Sequence, residues 1–126
     1  MNQPKRLLIV DDQPSALKGL QAILAFYPAL LVVGTATNGV EALQFVAAQQ
    51  PDVVVMDINM PKIDGIEATR HILSEHPDVV VIGLSVQNER HIEDAMLKAG
   101  AAVFVTKECA AGQLYEAIVS TVRTRK

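Results

Sequence analysis

The sequence predicts an α/β fold in which five parallel strands alternate with five helices. Five short apolar runs rich in β-branched residues recur along the chain, and stretches with helical periodicity separate them. The runs lack the polar alternation of half-exposed strands, which is typical of parallel strands covered by helices on both faces. Short links between strand and helix favour right-handed βαβ units. The prediction is therefore a doubly wound (βα)5 sheet.

Each predicted strand is followed by a predicted helix. The five strands are Leu7–Val10, Leu31–Val33, Val53–Met56, Val79–Leu84 and Ala102–Val105. The helices are Ser15–Phe26, Val40–Ala48, a third that begins after Asp64, Glu89–Ala99 and Gly112–Arg123. Asn38 and Asp64 are the expected N-caps, each with a glutamate three residues later, and Gly100 is the expected left-handed C-cap.

Spacing within the helices predicts which side chains face the sheet. In the second helix the predicted inner stripe is Val40, Leu43 and Ala47. In the third helix Ile66 and Leu73 share a face, with Thr69 between them and Ile72 at its border. The inner residues expected in the first and fifth helices are Leu17, Leu20, Ile23, Leu24, Leu114, Ile118, Val119 and Val122.

Composition indicates one globular domain. Of the 126 residues, 50% are hydrophobic and 20% are charged, which suits a packed core and excludes a disordered chain. The net charge of −3 gives no sign of a nucleic-acid surface. Cys109 is the only cysteine, so an intrachain disulfide is excluded. With no apolar stretch long enough to cross a bilayer, the expected location is the cytoplasm and no membrane partner is expected.

Acidic, hydroxyl and basic residues follow the predicted strands. Asp11 and Asp12 come after the first strand, Asp57 after the third, Ser85 after the fourth and Lys107 after the fifth. The carboxyl ends of parallel strands share one edge of an open sheet, where ligands bind. Carboxylate oxygens suit Mg²⁺, while a lysine and a hydroxyl can hold phosphoryl oxygens.

Each of these residues also has a simpler interpretation. Asp11 and Asp12 could merely start a helix, Ser85 could end a strand, and Lys107 could be a surface charge. Asp57 is harder to explain in this way, because an anion that closes a buried apolar run is costly unless it is compensated. The sequence contains no GxGxxG, P-loop or GxSxG pattern that would indicate a different chemistry.

Four motifs together resemble the receiver domain of bacterial two-component response regulators. They are IVDD at Ile9–Asp12, VVVMDINMPKIDG at Val53–Gly65, GLS at Gly83–Ser85 and VFVTK at Val103–Lys107. The resemblance covers essentially the whole chain. It implies a flavodoxin-like sheet with strand order 2-1-3-4-5, an order that chemotaxis receivers exemplify.

The resemblance also implies a metal site. By position, Asp57 is the phosphoacceptor, which attacks a phosphohistidine of a sensor histidine kinase. Asp12 and Asp57 would ligate Mg²⁺ directly, together with the backbone carbonyl of Asn59, and Asp11 would act through a metal-bound water. Asn59 and Gln87 would tune the lifetime of the phosphorylated state.

The same resemblance implies a switch. Lys107 would pair with the phosphoryl oxygens, and Ser85 would hydrogen-bond the phosphoryl group and move toward it. Phe104 takes the place of the family's switch aromatic. Phosphorylation adds roughly −1.5 to −2 charge and three acceptor oxygens, which biases the face containing the fourth helix and fifth strand.

Glu108 stands where the family often has a proline after its lysine. This departure, with DINMPKIDGIEATR and LSVQNE, is most similar to the NarL/LuxR-type branch, whose members carry a C-terminal helix-turn-helix domain. We therefore expect residues 1–126 to form the receiver, with 123–126 at the start of a linker. DNA contact is expected only through a domain absent from this chain, and a homodimer could form on phosphorylation. A stand-alone single-domain receiver is the alternative.

Two other functions fit the fold less well. A HAD-like phosphatase with an aspartate nucleophile would have a second aspartate two residues later, where this chain has Asn59. A flavodoxin-like FMN binder would have a Ser/Thr-rich phosphate loop after the first strand, and this sequence has none. We therefore expect a phosphoacceptor domain, and no enzyme acting on an external substrate.

Overall fold

The computed structural model describes residues 3–58, 65–85, 90–106 and 110–124. The strands are β1 (Lys5–Val10), β2 (Leu30–Ala36), β3 (Val53–Asp57), β4 (Val80–Ser85) and β5 (Val103–Thr106). The helices are α1 (Pro14–Leu24), α2 (Gly39–Gln49), α3 (Gly65–Glu75), α4 (Arg90–Ala99) and α5 (Ala110–Thr124). The predicted alternation of strands and helices is therefore confirmed.

The five strands form one parallel sheet in the order β2-β1-β3-β4-β5. This is the predicted flavodoxin-like order. The winding reverses between β1 and β3, which are direct neighbours, with Val10 opposite Met56. A ligand crevice is expected at the carboxyl end of this pair, because the connections leave the sheet in opposite directions there.

Helices cover both faces of the sheet, which explains why the central strands are apolar throughout. Val53 and Val55 of β3 pack in one core cluster with side chains of α1 and α5. Val54 and Met56 pack on the opposite face with side chains of α2, α3 and α4. All four side chains are fully buried. A strand with two covered faces has no place for an alternating polar residue.

β2 is longer and less regular than predicted. It continues three residues past Val33, to Ala36, and its pairing shifts so that Leu7 lies opposite Val32 but Leu8 lies opposite Gly34. Gly34 permits this arrangement because the ring of Phe45, from α2, occupies the space that a Cβ would fill. Gly34 thus makes room for a helix side chain against β2.

The inner faces of α2 and α3 differ from the prediction. In α2 the buried residues are Gly39, Ala42 and Val46, while Val40 is 40% exposed. Small residues face the sheet because they let the helix approach it closely. In α3 the buried residues are Gly65, Ala68, Thr69 and Ile72, whereas Ile66 and Leu73 are only half-buried.

The helix faces of α1 and α5 follow the sequence more closely. Leu17, Leu20 and Leu24 are buried as expected, but Ile23 is only half-buried. In α5, Leu114 and Ile118 are fully buried. Val119, also predicted to face inward, is half-buried.

Two predicted helix caps are confirmed. The Asn38 side chain accepts a hydrogen bond from the Glu41 backbone N–H at 2.9 Å, while Glu41 reaches back to the N–H of Thr37. Gly100 has φ +115°, its N–H bonds the Leu97 carbonyl, and the next N–H bonds the Met96 carbonyl, which together make a Schellman motif. Asp64, the third predicted cap, lies outside the described residues.

Candidate functional site

Three carboxylates meet at the carboxyl edge of β1 and β3. Asp57 is the last residue of β3, and Asp11 and Asp12 follow β1 directly. One carboxylate oxygen from each of the three residues lies within 4.8 Å of the other two. The adjacency of β1 and β3 brings together residues that are 45 positions apart in the sequence.

The cluster is largely removed from solvent. Asp11 is fully buried, Asp57 is 2% exposed, and Asp12 is half-buried. The Asp11 backbone N–H donates to the Ala36 carbonyl at 3.0 Å, and its side-chain Oδ1 accepts a hydrogen bond from the Gln13 N–H at 2.9 Å. These bonds fix the Asp11 carboxylate where the chain turns from β1 into α1.

Electrostatics explain what such a site is suited to bind. Two ionised carboxylates about 5 Å apart repel by roughly 3 kcal/mol at an effective dielectric constant of about 20, so three at once strain the protein. A divalent cation removes that repulsion and replaces lost hydration. The donor set consists only of oxygens, and a small hard cation such as Mg²⁺ prefers oxygen ligands.

Ser85 and Phe104 lie on the neighbouring strands. Ser85 is the last residue of β4, is fully buried and lies opposite Thr106 of β5. Its preceding residue, Leu84, lies opposite Asp57, so the serine ends its strand close to the acid cluster. Phe104 is half-buried in β5, opposite Gly83.

Several predicted site residues fall outside the described residues. They are Lys107, Asn59 and Gln87, together with Glu108, the departure from the family pattern. Of the predicted site residues that are described, the structure brings Asp11, Asp12 and Asp57 into one cluster. It places Ser85 and Phe104 on the adjoining strands.

Two glycines that belong to the quoted motifs contact these strands closely. A Cβ at Gly65 would overlap the carbonyl oxygen of Asp57 and lie 2.6 Å from Ile58 Cα. A Cβ at Gly83 would lie 2.8 Å from Met96 Cε and 2.9 Å from Phe104 Cδ1. Gly83 is the only residue without a side chain in the β4 run VVIGLS, and it is the first residue of the GLS motif.

Comparison with known proteins agrees with the fold. Residues 7–119 match the family described as response regulator receiver domain. The crystal structure of a LuxR-family two-component response regulator from Aurantimonas sp. SI85-9A1 is similar over 98% of this chain and 89% of that chain. The TM-score is 0.92 and the sequence identity is 30%.

Curated relatives extend the comparison. The transcriptional regulatory protein DegU of Brevibacillus brevis is 39% identical over 113 residues, which is 90% of this chain and 48% of that protein. A protein-glutamate methylesterase of Methanospirillum hungatei JF-1 is 48% identical over 59 residues, or 47% of this chain and 17% of that protein. The chain thus spans about half the length of DegU and less of the methylesterase.

The structure is a doubly wound parallel sheet with an acid cluster at its switch point. This chain belongs to the response regulator receiver domain family and is of the NarL/LuxR type. It carries the acidic cluster at which receiver domains bind Mg²⁺. Within the described residues, no helix is long and apolar enough to cross a membrane.

Proposed function

We propose that this chain accepts a phosphoryl group on Asp57 from a phosphohistidine of a sensor histidine kinase, with Mg²⁺ as cofactor. The observation that carries the proposal is the cluster of Asp11, Asp12 and Asp57, whose carboxylate oxygens lie within 4.8 Å of one another at the end of a buried strand. The three carboxylates repel one another, and a bound divalent cation relieves that repulsion.

Residues of this chain would hold the metal. Asp12 and Asp57 are the proposed direct ligands, the carbonyl of Asn59 is the third, and Asp11 would contribute through a bound water. When bound, Mg²⁺ neutralises negative charge on the phosphoryl group and its donor. The fixed orientation of Asp11, held by the Gln13 N–H, supports a positioning role for its carboxylate.

Asp57 supplies the nucleophile. One carboxylate oxygen of Asp57 forms a bond to phosphorus while the P–N bond of the phosphohistidine breaks. The electron pair of the P–N bond stays on the imidazole nitrogen, which is the leaving group. Lys107 would pair with the transferred oxygens, and the Ser85 hydroxyl would donate to one of them. The position of Ser85 at the end of β4, one strand from Asp57, supports this role. Phe104 would then respond as the switch aromatic.

We further propose that the receiver controls transcription through a DNA-binding domain encoded beyond residue 126, with residues 123–126 at the start of the linker. The match to DegU, which is named a transcriptional regulatory protein, supports this output. The methylesterase relative carries a different activity, and its match covers less of the chain. A helix-turn-helix sequence in the coding region after Lys126 is expected, and a methylesterase sequence there would contradict the proposal.

The proposed compartment is the cytoplasm, and homodimerisation would follow phosphorylation.

A chemical phosphodonor tests the proposed site directly. Incubation with acetyl phosphate and Mg²⁺ should add one phosphoryl group, measured by intact-protein mass, and a chelator should prevent it. Asp57→Asn should abolish the addition, whereas Asp94→Asn, a control at an exposed aspartate of α4, should not. Addition that persists in Asp57→Asn, or that ignores Mg²⁺, would refute the assignment. Steady release of phosphate from an unrelated phosphomonoester would instead favour a phosphatase.

A further inference from the structure

Thr69 is a buried polar residue that the proposed chemistry does not use. Among the described residues, the only buried polar or charged side chains besides Thr69 are Asp11, Asp57 and Ser85. Thr69 lies in α3, is fully buried, and its hydroxyl donates to the Gly65 carbonyl at 2.7 Å. The same oxygen lies 3.9 Å from the sulfur of Met96, in α4. The hydroxyl therefore joins the first turn of α3 to the buried side of α4.

On one side of Thr69, Gly65 contacts the phosphoacceptor strand. The Gly65 N–H donates to the Ile58 carbonyl at 3.3 Å, and any side chain at position 65 would overlap the carbonyl oxygen of Asp57. Backbone packs on backbone here, with no flexible side chain between them. A displacement of the Asp57 peptide would therefore move the start of α3.

On the other side of Thr69, Met96 and the proposed switch aromatic both lie beside Gly83. Met96 is fully buried, and a Cβ added at Gly83 would lie 2.8 Å from Met96 Cε and 2.9 Å from Phe104 Cδ1. A side chain at Gly83 would collide with both groups, so the glycine leaves room for the thioether and the ring side by side. Methionine packs favourably against aromatic rings and adapts its shape to them.

Phe104 also borders an open groove. The groove, of about 650 Å³, lies between β5 and α5, and its lining on α5 includes Gln113, Glu116, Ala117 and Ser120. The proposed coupling has the ring move between its position beside Gly83 and this groove. Two discrete arrangements of one side chain are what a physical coupling between sites requires.

We propose that Thr69 and Met96 form a buried link that couples the Asp57 end of β3 to Phe104. Phosphorylation would shift the Asp57 peptide and Gly65, Thr69 would pass the displacement to Met96, and Met96 would change its contact with Phe104. Thr69 is a positioning residue in this arrangement and touches neither phosphoryl group nor metal. The inference rests on the proposed function, because it needs Asp57 to be the acceptor.

The methionine methyl groups offer a test that separates the two ideas. Met56 precedes Asp57 and is fully buried, so its methyl resonance reports occupancy of the site, while the Met96 methyl reports the link. The protein would be labelled with ¹³C-methyl methionine, and spectra recorded with Mg²⁺ before and after saturation with beryllofluoride, which mimics a phosphoryl group. In the parent protein both resonances should shift.

Substitutions at Thr69 then decide whether the link exists. In Thr69→Val the Met56 shift should persist and the Met96 shift should fall by more than half, while Thr69→Ser, which keeps the hydroxyl, should restore it. The matched control is Thr121→Val, because Thr121 makes the same type of bond in α5, to the Ala117 carbonyl at 2.8 Å. That variant should respond like the parent protein.

Each remaining outcome contradicts one of the two proposals. If Met56 does not respond in the parent protein, the proposed function fails and the link fails with it. If Met56 responds but Met96 does not shift in the parent protein, shifts equally in Thr69→Val, or is not restored by Thr69→Ser, only the link is overturned. Should Thr69→Val not fold, Met96→Leu, a volume-conserving change, takes its place with fluorinated phenylalanine as the probe. If the fluorine resonance of Phe104 responds to beryllofluoride in Met96→Leu as it does in the parent protein, the link is overturned.

Discussion

Replacing Asp57 with asparagine removes one charge from the acid cluster while nearly preserving the shape of the side chain. Asp57 forms two carboxylate pairs, with Asp11 and with Asp12, at separations of up to 4.8 Å. At an effective dielectric constant of about 20, each pair repels by roughly 3 kcal/mol, so the gross relief is about 6 kcal/mol. The half-exposure of Asp12 screens its share, and an amide accepts fewer hydrogen bonds than a carboxylate.

We therefore expect Asp57→Asn to raise the free energy of unfolding by about 1–3 kcal/mol in the absence of divalent cations. The measurement is urea unfolding at pH 8 in a chelating buffer. With Mg²⁺ at about 100 times its dissociation constant, the parent protein should gain about 2.7 kcal/mol, and the variant should gain much less. The difference in the free energy of unfolding between Asp57→Asn and the parent protein should therefore shrink or change sign when Mg²⁺ is added.

Asp94→Asn serves as the control, because it removes the same charge from an exposed position on α4. Its effect should stay within about 0.5 kcal/mol, with or without Mg²⁺. A variant Asp57→Asn that is less stable than the parent protein in chelator would refute the argument from repulsion. Equal stabilisation by Asp94→Asn would show that net charge, and not the cluster, is responsible.

Two glycine substitutions should change stability in opposite directions. Gly19→Ala, in the middle of α1 with no atom within 4 Å of the added Cβ, should stabilise the protein by about 1 kcal/mol in thermal or urea unfolding. Gly34→Ala should destabilise it by about 1–3 kcal/mol, because the new methyl group overlaps the Phe45 ring. Adding Phe45→Leu should recover part of that loss, and a strictly additive double variant would argue against the clash. Equal effects at the two glycines would show that backbone entropy alone governs both.

Features that depend only on neighbouring residues could be predicted from the sequence. Asn38 and Gly100 were identifiable as caps because each satisfies backbone groups within its own helix end. Asp57 stood out because a carboxylate that ends an apolar run is costly wherever the run folds. The alternation of apolar runs with helical periods likewise predicted the class of fold, since each segment carries its own period.

The inner faces of the helices were less predictable. The stripe proposed for α2 was only partly right: Leu43 packs against the core, but Val40 and Ala47 are exposed, and Gly39 and Ala42 face the sheet instead. Hydrophobicity ranks valine as the better core residue, but the distance between helix and sheet depends on side-chain size as well. Neighbouring elements determine that distance, so it cannot be predicted from the sequence of one helix.

Contacts between distant segments were decided only by the tertiary structure. Tyr27 and Tyr115 stack with ring centroids 4.0 Å apart, and neither tyrosine shows this pairing in its local pattern. The contact of Thr69 with Met96 likewise joins two helices and depends on how α3 and α4 settle against the sheet.

The sequence by itself determined the alternating elements, the caps and the chemical character of the strand ends. The tertiary structure determined which strands are neighbours, how close the three carboxylates lie, and that Met96 and Phe104 both lie beside Gly83. The physical reason is the distance along the chain over which each interaction acts. Capping and periodicity act within a few residues, whereas electrostatic repulsion and close packing depend on distances that exist only once all five strands have paired.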